Sequence, residues 1–246
     1  MRWVGGVAAA CVVAAALGTA ARQALAGSEQ TGHEQARFLL FSNTDQWRHG
    51  GFAHGGVLWS PSGLDREGLV LKLMFGGGVY RYVSGALRGA EVRGRELGAS
   101  LLPGWRFVRS GLFVTVFAGP DFQNHSLSPD DPSAGLRGSH VGLRTGFELW
   151  YEPSATTMIA ADASVSTVGP SYSARLAGGW RMLNRFYLGP ELHAFAADDN
   201  YRQLRAGLHI SGFRTGEFEW SAGLGWGADS DHRSSLYGKL GVFTRR

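Results

Sequence analysis

YRQLRAGLHISGFRTGEFEWSAGLGWG, residues 201–227, contains two runs in which apolar and polar residues alternate, joined by the short segment 213–216. Because successive side chains of a strand point to opposite faces, each run has one apolar face and one polar or glycine-rich face. The polar face carries Arg205, His209 and Glu219, while the apolar face carries tryptophans. This pattern predicts a sheet with lipid on one side and water on the other, as in a transmembrane barrel.

The first residues predict a secretory signal peptide over residues 1–26. Arg2 supplies a positive start, residues 4–17 form an apolar run, and Ala26 ends a small-x-small cleavage site. The apolar run is too short for a membrane span. We therefore expect Sec-type export with cleavage near Ala26, a short N-terminal periplasmic segment at 27–36, and a β-barrel domain at 37–246.

The composition of the mature chain excludes several classes of protein. Cleavage removes two of the 24 basic residues and leaves the 20 acidic ones, a net charge of +2 that does not indicate nucleic acid binding. The single cysteine, Cys11, lies in the signal peptide, so no disulfide is expected. The 37 glycines disfavour helices and suit closely packed strands. A soluble β-sandwich of similar length is the alternative fold.

Alternation along the chain predicts an all-β, antiparallel outer-membrane barrel of about twelve strands. Connections on one side are short and those on the other, including 82–90 and 119–135, are longer, which is typical of an outer-membrane barrel with its termini in the periplasm. Closure leaves no unpaired edge in lipid, so we expect a monomer in contact with outer-membrane lipid. The predicted strands are 37–45, 50–60, 67–81, 90–107, 111–124, 136–151, 155–168, 170–183, 185–197, 201–213, 216–228 and 233–244.

Aromatic residues near the predicted strand ends are typical of the belts that barrels place at the membrane interfaces. Ordinary core packing is the alternative for any single one. The predicted belt residues are Trp59, Trp105, Trp150, Tyr151, Tyr172, Trp180, Trp220 and Trp226.

Charged and histidine residues of the inward phase are the first candidate functional group. Both signs of charge are present, so we expect a hydrogen-bonded network that fills the lumen or lines a narrow polar path. Inward charges must pair whatever the function, so a purely structural role is the alternative. The predicted lumen residues are Arg144, Glu148, Arg175, Arg181, Glu191, His193, Arg205, His209, Glu219 and Lys239.

Aromatic and polar residues of the longer connections are the second candidate group. Such side chains can stack on sugar rings and bind hydroxyl groups, although solvated loop residues would look the same. The predicted glycan-contacting loop residues are Trp47, His49, Tyr80, Tyr82, Asp121, Gln123 and His125, with Asp130 and Asp131 nearby.

An enzyme is the less favoured interpretation. His232 and Ser234 have outward phase, and a base and nucleophile facing lipid, oriented by Asp229 or Asp231, would suit an outer-membrane lipid hydrolase. No metal-ligand spacing or phosphate-binding loop is present in the sequence, so we expect no cofactor and no metal.

Several short motifs resemble those of a known family. They are 76–82 (GGGVYRY), 102–106 (LPGWR), 119–125 (GPDFQNH), 189–191 (GPE) and 201–207 (YRQLRAG). Their order and spacing over 40–246 resemble the cellulose biosynthesis protein BcsS family of proteobacteria. The resemblance implies an exported, β-rich envelope protein associated with a bacterial cellulose synthase system, and it implies no catalytic residues.

Together these observations predict an outer-membrane accessory protein of a cellulose or related exopolysaccharide biosynthesis and secretion system. It would guide, anchor or pass the polymer that builds a biofilm matrix, with the polysaccharide and other components of the synthase system as partners. A lipid-modifying enzyme using His232 and Ser234, or a general small-solute porin, is the alternative.

Overall fold

A computed structural model describes residues 36–197 and 201–246. The predicted signal peptide and residues 27–35 of the predicted periplasmic segment lie outside these residues. The described chain is all β, and its twelve strands are β1 (Phe38–Trp47), β2 (Gly50–Trp59), β3 (Gly68–Ser84), β4 (Ala90–Arg109), β5 (Leu112–Ser128), β6 (Gly138–Ser154), β7 (Thr157–Ser166), β8 (Ser171–Met182), β9 (Phe186–Ala197), β10 (Tyr201–Thr215), β11 (Phe218–Asp229) and β12 (Ser234–Arg245).

The strands close into one antiparallel barrel in chain order. Closure is made by β1 and β12, which pair from Leu39 opposite Arg245 to Trp47 opposite Tyr237. Every strand therefore has a hydrogen-bonded neighbour on both sides, which the hydrocarbon core of a membrane requires. The predicted fold class is confirmed. Among the described residues, no helix has the length and apolar character needed to cross a membrane.

Side chains alternate between the two surfaces of the barrel wall as the sequence predicts. On β4, Leu97, Leu101 and Trp105 are exposed on the outside, while Ser100 and Leu102 are buried inside. The outward aromatic residues that are exposed near strand ends are Trp59, Trp105, Tyr172, Trp180 and Trp226. The outer surface is therefore an apolar band of the kind that faces lipid.

Trp150 is an exception to the predicted aromatic belt. It packs inside the barrel against buried Met158 and Tyr187, and its indole N–H donates to Glu152 Oε1 at 3.1 Å. Trp150 lies two residues from both Glu148 and Glu152 on β6. Residues two apart in a strand share one face, so Trp150 lies on the lumen side with them. The prediction that it faces the membrane interface is wrong.

Four consecutive strands are longer than a membrane crossing requires. β3–β6 contain 17, 20, 17 and 17 residues, whereas about 9–11 suffice for a tilted strand to cross the hydrocarbon core. The predicted connections 82–90 and 119–135 are consequently mostly strand, and the loops are only 85–89 and 129–137. These strands extend beyond β1 and β2 on the side away from the termini, which is the outer side in barrels with short periplasmic turns.

Candidate functional site

The barrel lumen is the principal candidate site. All ten predicted lumen residues lie on strands at inward-facing positions of the alternation, but they form several separate clusters and not one network. The clusters differ in burial and in which strands they join, and both properties bear on what can enter the barrel.

Glu191 is the centre of the most buried charged cluster. Its carboxylate accepts from Arg175 Nε at 3.0 Å and from the Tyr237 hydroxyl at 3.0 Å, and Lys239 Nζ lies 2.5 Å away. The Glu191 side chain is 0% exposed, so the two cations and the hydroxyl together replace its water shell. Arg175 also lies 3.5 Å from Asp162 on β7.

Three ion pairs join strands that are three positions apart around the barrel. They are Lys72–Glu148 between β3 and β6, Asp45–Arg205 between β1 and β10, and Glu191–Lys239 between β9 and β12. Each pair therefore spans a chord of the lumen and does not follow the wall. Side chains divide the interior into narrow spaces.

Two of these pairs involve residues that are not among the predicted lumen residues, Lys72 and Asp45. Lys72 has a clear inward phase on β3, so the alternation alone was sufficient to find it. Asp45 lies on β1, which alternates poorly in sequence. Arg205 binds Asp45 through two bonds of 2.6 and 2.7 Å and stacks over the Tyr237 ring at 5.3 Å.

Asp121 organises a second buried cluster. Arg144 donates to both of its carboxylate oxygens at 3.1 Å, and the hydroxyls of Ser100 and Ser166 donate at 2.6 Å. Asp121, Gln123 and His125 are 1%, 5% and 5% exposed and face inward on β5. Their predicted position in a loop is wrong, because β5 continues to Ser128. Both carboxylate oxygens of Asp121 already accept hydrogen bonds, so neither is free to bind a ligand.

The remaining predicted lumen residues serve local roles. His209 is 2% exposed, with Nδ1 2.9 Å from the Ser211 hydroxyl and Nε2 3.2 Å from the Gly178 carbonyl. His193 lies opposite Arg175 on β8 and opposite Arg205 on β10.

Arg181 and Glu219 lie at the periplasmic end of the lumen. Arg181 contacts Glu152 at 3.5 Å and the Tyr187 hydroxyl, and Glu219 accepts from Arg214 at 3.0 Å. These side chains line a cavity of about 220 Å³.

Two carboxylates in the lumen remain partly exposed between the ion pairs. The inward carboxylates of Glu148 and Asp162 lie directly opposite each other on β6 and β7, and their side chains are 41% and 46% exposed. The interior thus contains narrow solvent-accessible space as well as buried clusters.

The periplasmic turn 60–67 folds into the barrel end. Leu64 is 2% exposed and packs with the inward residues Leu58, Val70, Leu102 and Phe117. Its amide donates to the Ala36 carbonyl at 2.8 Å, and its carbonyl accepts from Arg106 at 2.7 Å. An apolar cluster therefore covers part of the periplasmic opening.

Aromatic side chains collect at the outer opening. Tyr80 and Tyr82 face inward on β3 with their rings stacked, 6.3 Å apart at 23°. A Cβ atom on Gly94 would lie 2.2 Å from the Tyr80 ring, so this glycine lets the ring lie flat along the wall. Trp47 and His49 form an edge-to-face pair at 5.2 Å. Four of the predicted glycan-contacting residues therefore line the opening.

The outer loop 129–137 is fastened to the end of β3. The Tyr82 hydroxyl donates to Asp131 Oδ2 at 3.0 Å, and the Ser133 hydroxyl donates to Asp131 Oδ1 at 2.6 Å. Hydrogen bonds from Ser133 and Ser84 are the main reason that the pKa of Asp131 falls to about 2. A carboxylate that remains charged holds this loop beside the aromatic residues.

The structure does not assemble the alternative catalytic group. Asp229 and Asp231 are both held by Arg233 at 2.8 Å. Within residues 36–197 and 201–246, the His232 side chain has no hydrogen bond to Ser234 or to either carboxylate. In the same residues, no three His, Cys, Asp or Glu side chains converge as a metal site requires.

Comparison with known proteins identifies the family. The family described as cellulose biosynthesis protein BcsS matches residues 39–246. The chain belongs to this family. Membership of the BcsS family, together with the barrel fold, supports an accessory role in cellulose synthesis. No protein with a curated description matches the sequence.

Solved structures with a similar fold are outer-membrane barrels. An outer membrane channel from Pseudomonas putida F1 is 10% identical, with a TM-score of 0.55, covering 89% of this chain and 99% of that one. The translocator domain of the autotransporter NalP from Neisseria meningitidis is 13% identical, with a TM-score of 0.48, covering 96% of this chain and 97% of that one. At these identities the likeness concerns the barrel fold alone.

Proposed function

We propose that this BcsS-family barrel anchors the cellulose polymer at the outer surface of the outer membrane, and that the polymer does not pass through its lumen. The observation that carries this choice is the set of three ion pairs across the lumen. In the proposal the barrel acts as a monomer, because a closed sheet offers no strand edge to a second copy, and it acts beside other components of the synthase system.

Passage of a polysaccharide would require several stabilising contacts to break together. The pairs Lys72–Glu148, Asp45–Arg205 and Glu191–Lys239 each cross a chord of the lumen. Separating the fully buried Glu191 from its partner costs about 3–5 kcal/mol, and the more exposed pairs add smaller costs. The turn that carries Leu64 would also have to leave the periplasmic opening. Guiding or anchoring by the outer opening needs no such rearrangement.

The aromatic residues at the outer opening match the chemistry of an uncharged glucan. A β-linked glucose polymer carries no charge and presents C–H groups on the faces of its rings, which pack against aromatic rings. Tyr80 lies flat over Gly94 with Tyr82 stacked beside it, so the other face of the Tyr80 ring is turned toward the lumen at its outer end. Asp121, Gln123 and His125 are too buried to contribute.

Binding of cello-oligosaccharides to the refolded barrel tests the proposal. Each aromatic contact contributes about 0.5–1.5 kcal/mol, so replacing both tyrosines by alanine (Tyr80→Ala with Tyr82→Ala) should weaken binding about tenfold. Tyr172→Ala is the matched control, because Tyr172 is also near the outer end but faces lipid. Equal binding by the wild type and the double variant would refute the assignment of the site.

Single-channel recording tests the second half of the proposal. The wild-type barrel should show only a small conductance in a planar bilayer, because narrow spaces remain between the ion pairs. Blockage of a large conductance by added cello-oligosaccharide would show a path for the polymer and contradict the anchoring function.

A further inference from the structure

A group of arginines lies on the outward face of the β3–β4 hairpin, at the end away from the termini. Arg81 on β3 and Arg93 and Arg95 on β4 share the phase of the lipid-facing residues Val79 and Leu97. We call these three arginines the outer arginine patch. They point away from the lumen and therefore belong to none of the clusters described above.

The strand register places like charges next to each other in this patch. Arg81 lies directly opposite Arg93, and Arg95 lies opposite Val79. Like charges directly opposite each other destabilise a sheet, so such an arrangement calls for a compensating anion. Glu91 reaches Arg81 at 3.6 Å, with the two side chains 44% and 57% exposed. Among the described residues, Arg93 and Arg95 have no ion pair or side-chain hydrogen bond.

On β4 and β5 the patch begins where the apolar band ends, whereas Val83 on β3 is exposed beyond Arg81. On β4, Leu97 and Leu101 are exposed lipid-facing residues, and Arg95 precedes Leu97 by two positions, about 7 Å along the strand toward its outer end. On β5, Phe122 is the last large apolar residue of the outward face, and Ser126 and Ser128 follow it. On these two strands the arginines thus lie just beyond the apolar band, where lipid head groups would meet the barrel.

Hydroxyl groups complete one side of the patch. Arg95 lies opposite Ser126 on β5, and Arg93 lies opposite Ser128. Both serines are exposed on the outward face. Guanidinium groups bind phosphate through paired N–H donors, and serine hydroxyls can donate to further phosphate oxygens.

We propose that the outer arginine patch binds the phosphate groups of a phosphorylated glycolipid in the outer leaflet. Continuity with the apolar band selects a lipid as the ligand, because acyl chains can lie on Val79, Leu97 and Phe122 while the head group meets the arginines. The site holds the barrel at a fixed depth in the leaflet. It is independent of the polymer-binding function, since its residues face away from the lumen.

Native mass spectrometry of the full mature barrel, refolded in detergent and titrated with bisphosphorylated lipid A, tests this site. Each arginine near a lipid surface contributes about fivefold to binding, so Arg93→Gln combined with Arg95→Gln should bind about 30-fold more weakly. Arg109→Gln is the matched control. Arg109 has the same outward phase at the other end of β4, where it pairs with Glu67, and its loss should change binding less than twofold.

Two further measurements use the wild-type barrel and do not depend on whether a variant folds. Lipid A without its phosphates should bind at least tenfold more weakly, and inorganic phosphate at millimolar concentration should not displace the lipid. Equal binding of the dephosphorylated lipid, displacement by inorganic phosphate, or unchanged binding by a double variant that shows heat-modifiable migration on a gel would each overturn the proposal.

Discussion

Replacing Glu191 with glutamine should destabilise the barrel more than the same replacement of Glu148. Glutamine keeps the shape and can still accept from the Tyr237 hydroxyl, but it leaves Lys239 and Arg175 without their shared negative charge. Breaking a buried ion pair costs about 3–5 kcal/mol. Because the two cations keep 20% and 19% exposure and can be partly hydrated, we expect a loss at the lower end, about 3 kcal/mol.

Glu148→Gln provides the matched comparison. Glu148 also pairs with a lysine across the lumen, at the same 2.5 Å distance, but its side chain is 41% exposed. Water can therefore replace part of the lost interaction, and we expect about 1 kcal/mol. Adding Lys239→Met to the Glu191→Gln variant removes one unpaired cation and should recover part of the lost stability.

Equilibrium unfolding in urea, followed by tryptophan fluorescence of the barrel in lipid vesicles, measures these differences. Gel migration with and without heating checks that each variant reaches the folded state. The reasoning fails if both glutamine variants lose the same free energy of unfolding, or if Glu191→Gln loses less than 1 kcal/mol. It also fails if Lys239→Met adds to the damage in the double variant.

Two further predictions concern the two ends of the barrel. Leu64→Ala removes part of the apolar cluster at the periplasmic opening and should weaken the packing of that cluster by about 2–5 kcal/mol. We therefore expect a higher single-channel conductance. Leu183, which is 81% exposed in another periplasmic turn, is the control, and Leu183→Ala should leave the conductance unchanged. Asp131 has a depressed pKa of about 2, so its hold on the loop 129–137 should persist above pH 4 and be lost as the pH falls through 2. A spin label at Ala134→Cys should report that release, and in an Asp131→Asn background it should be mobile at every pH.

The lipid-facing parts of the fold could be predicted because their environment imposes a local pattern. Where one face of a strand meets lipid and the other meets the lumen, polarity changes at every residue, as on β4 from Leu97 to Trp105. The strand positions and inward residues therefore agree closely with the structure. On β5 the alternation of polarity ends after Phe122 although the strand continues to Ser128. Both faces meet water or polar side chains beyond the membrane, so polarity no longer marks a strand there.

The contents of the candidate site were only partly predictable. The alternation with a period of two correctly predicts that Glu191, Arg205 and His209 lie inside the barrel. The same alternation implies that Trp150 faces inward, as the structure shows. Assigning Asp121 to a loop made it look available to a ligand, whereas it is 1% exposed and bound by Arg144. Burial depends on what surrounds a side chain in space, and sequence spacing within one strand does not specify that.

The sequence by itself determined the strand positions over most of the chain and most of the residues that face the interior, because a period of two is a property of each strand alone. Only the tertiary structure decided which interior charges meet. Asp45 and Arg205 are 160 residues apart in the chain and pair at 2.6 Å only because β1 closes against β12. Closure and strand register decide which ion pairs cross the lumen. Strand register also places Arg81 opposite Arg93 on the lipid side.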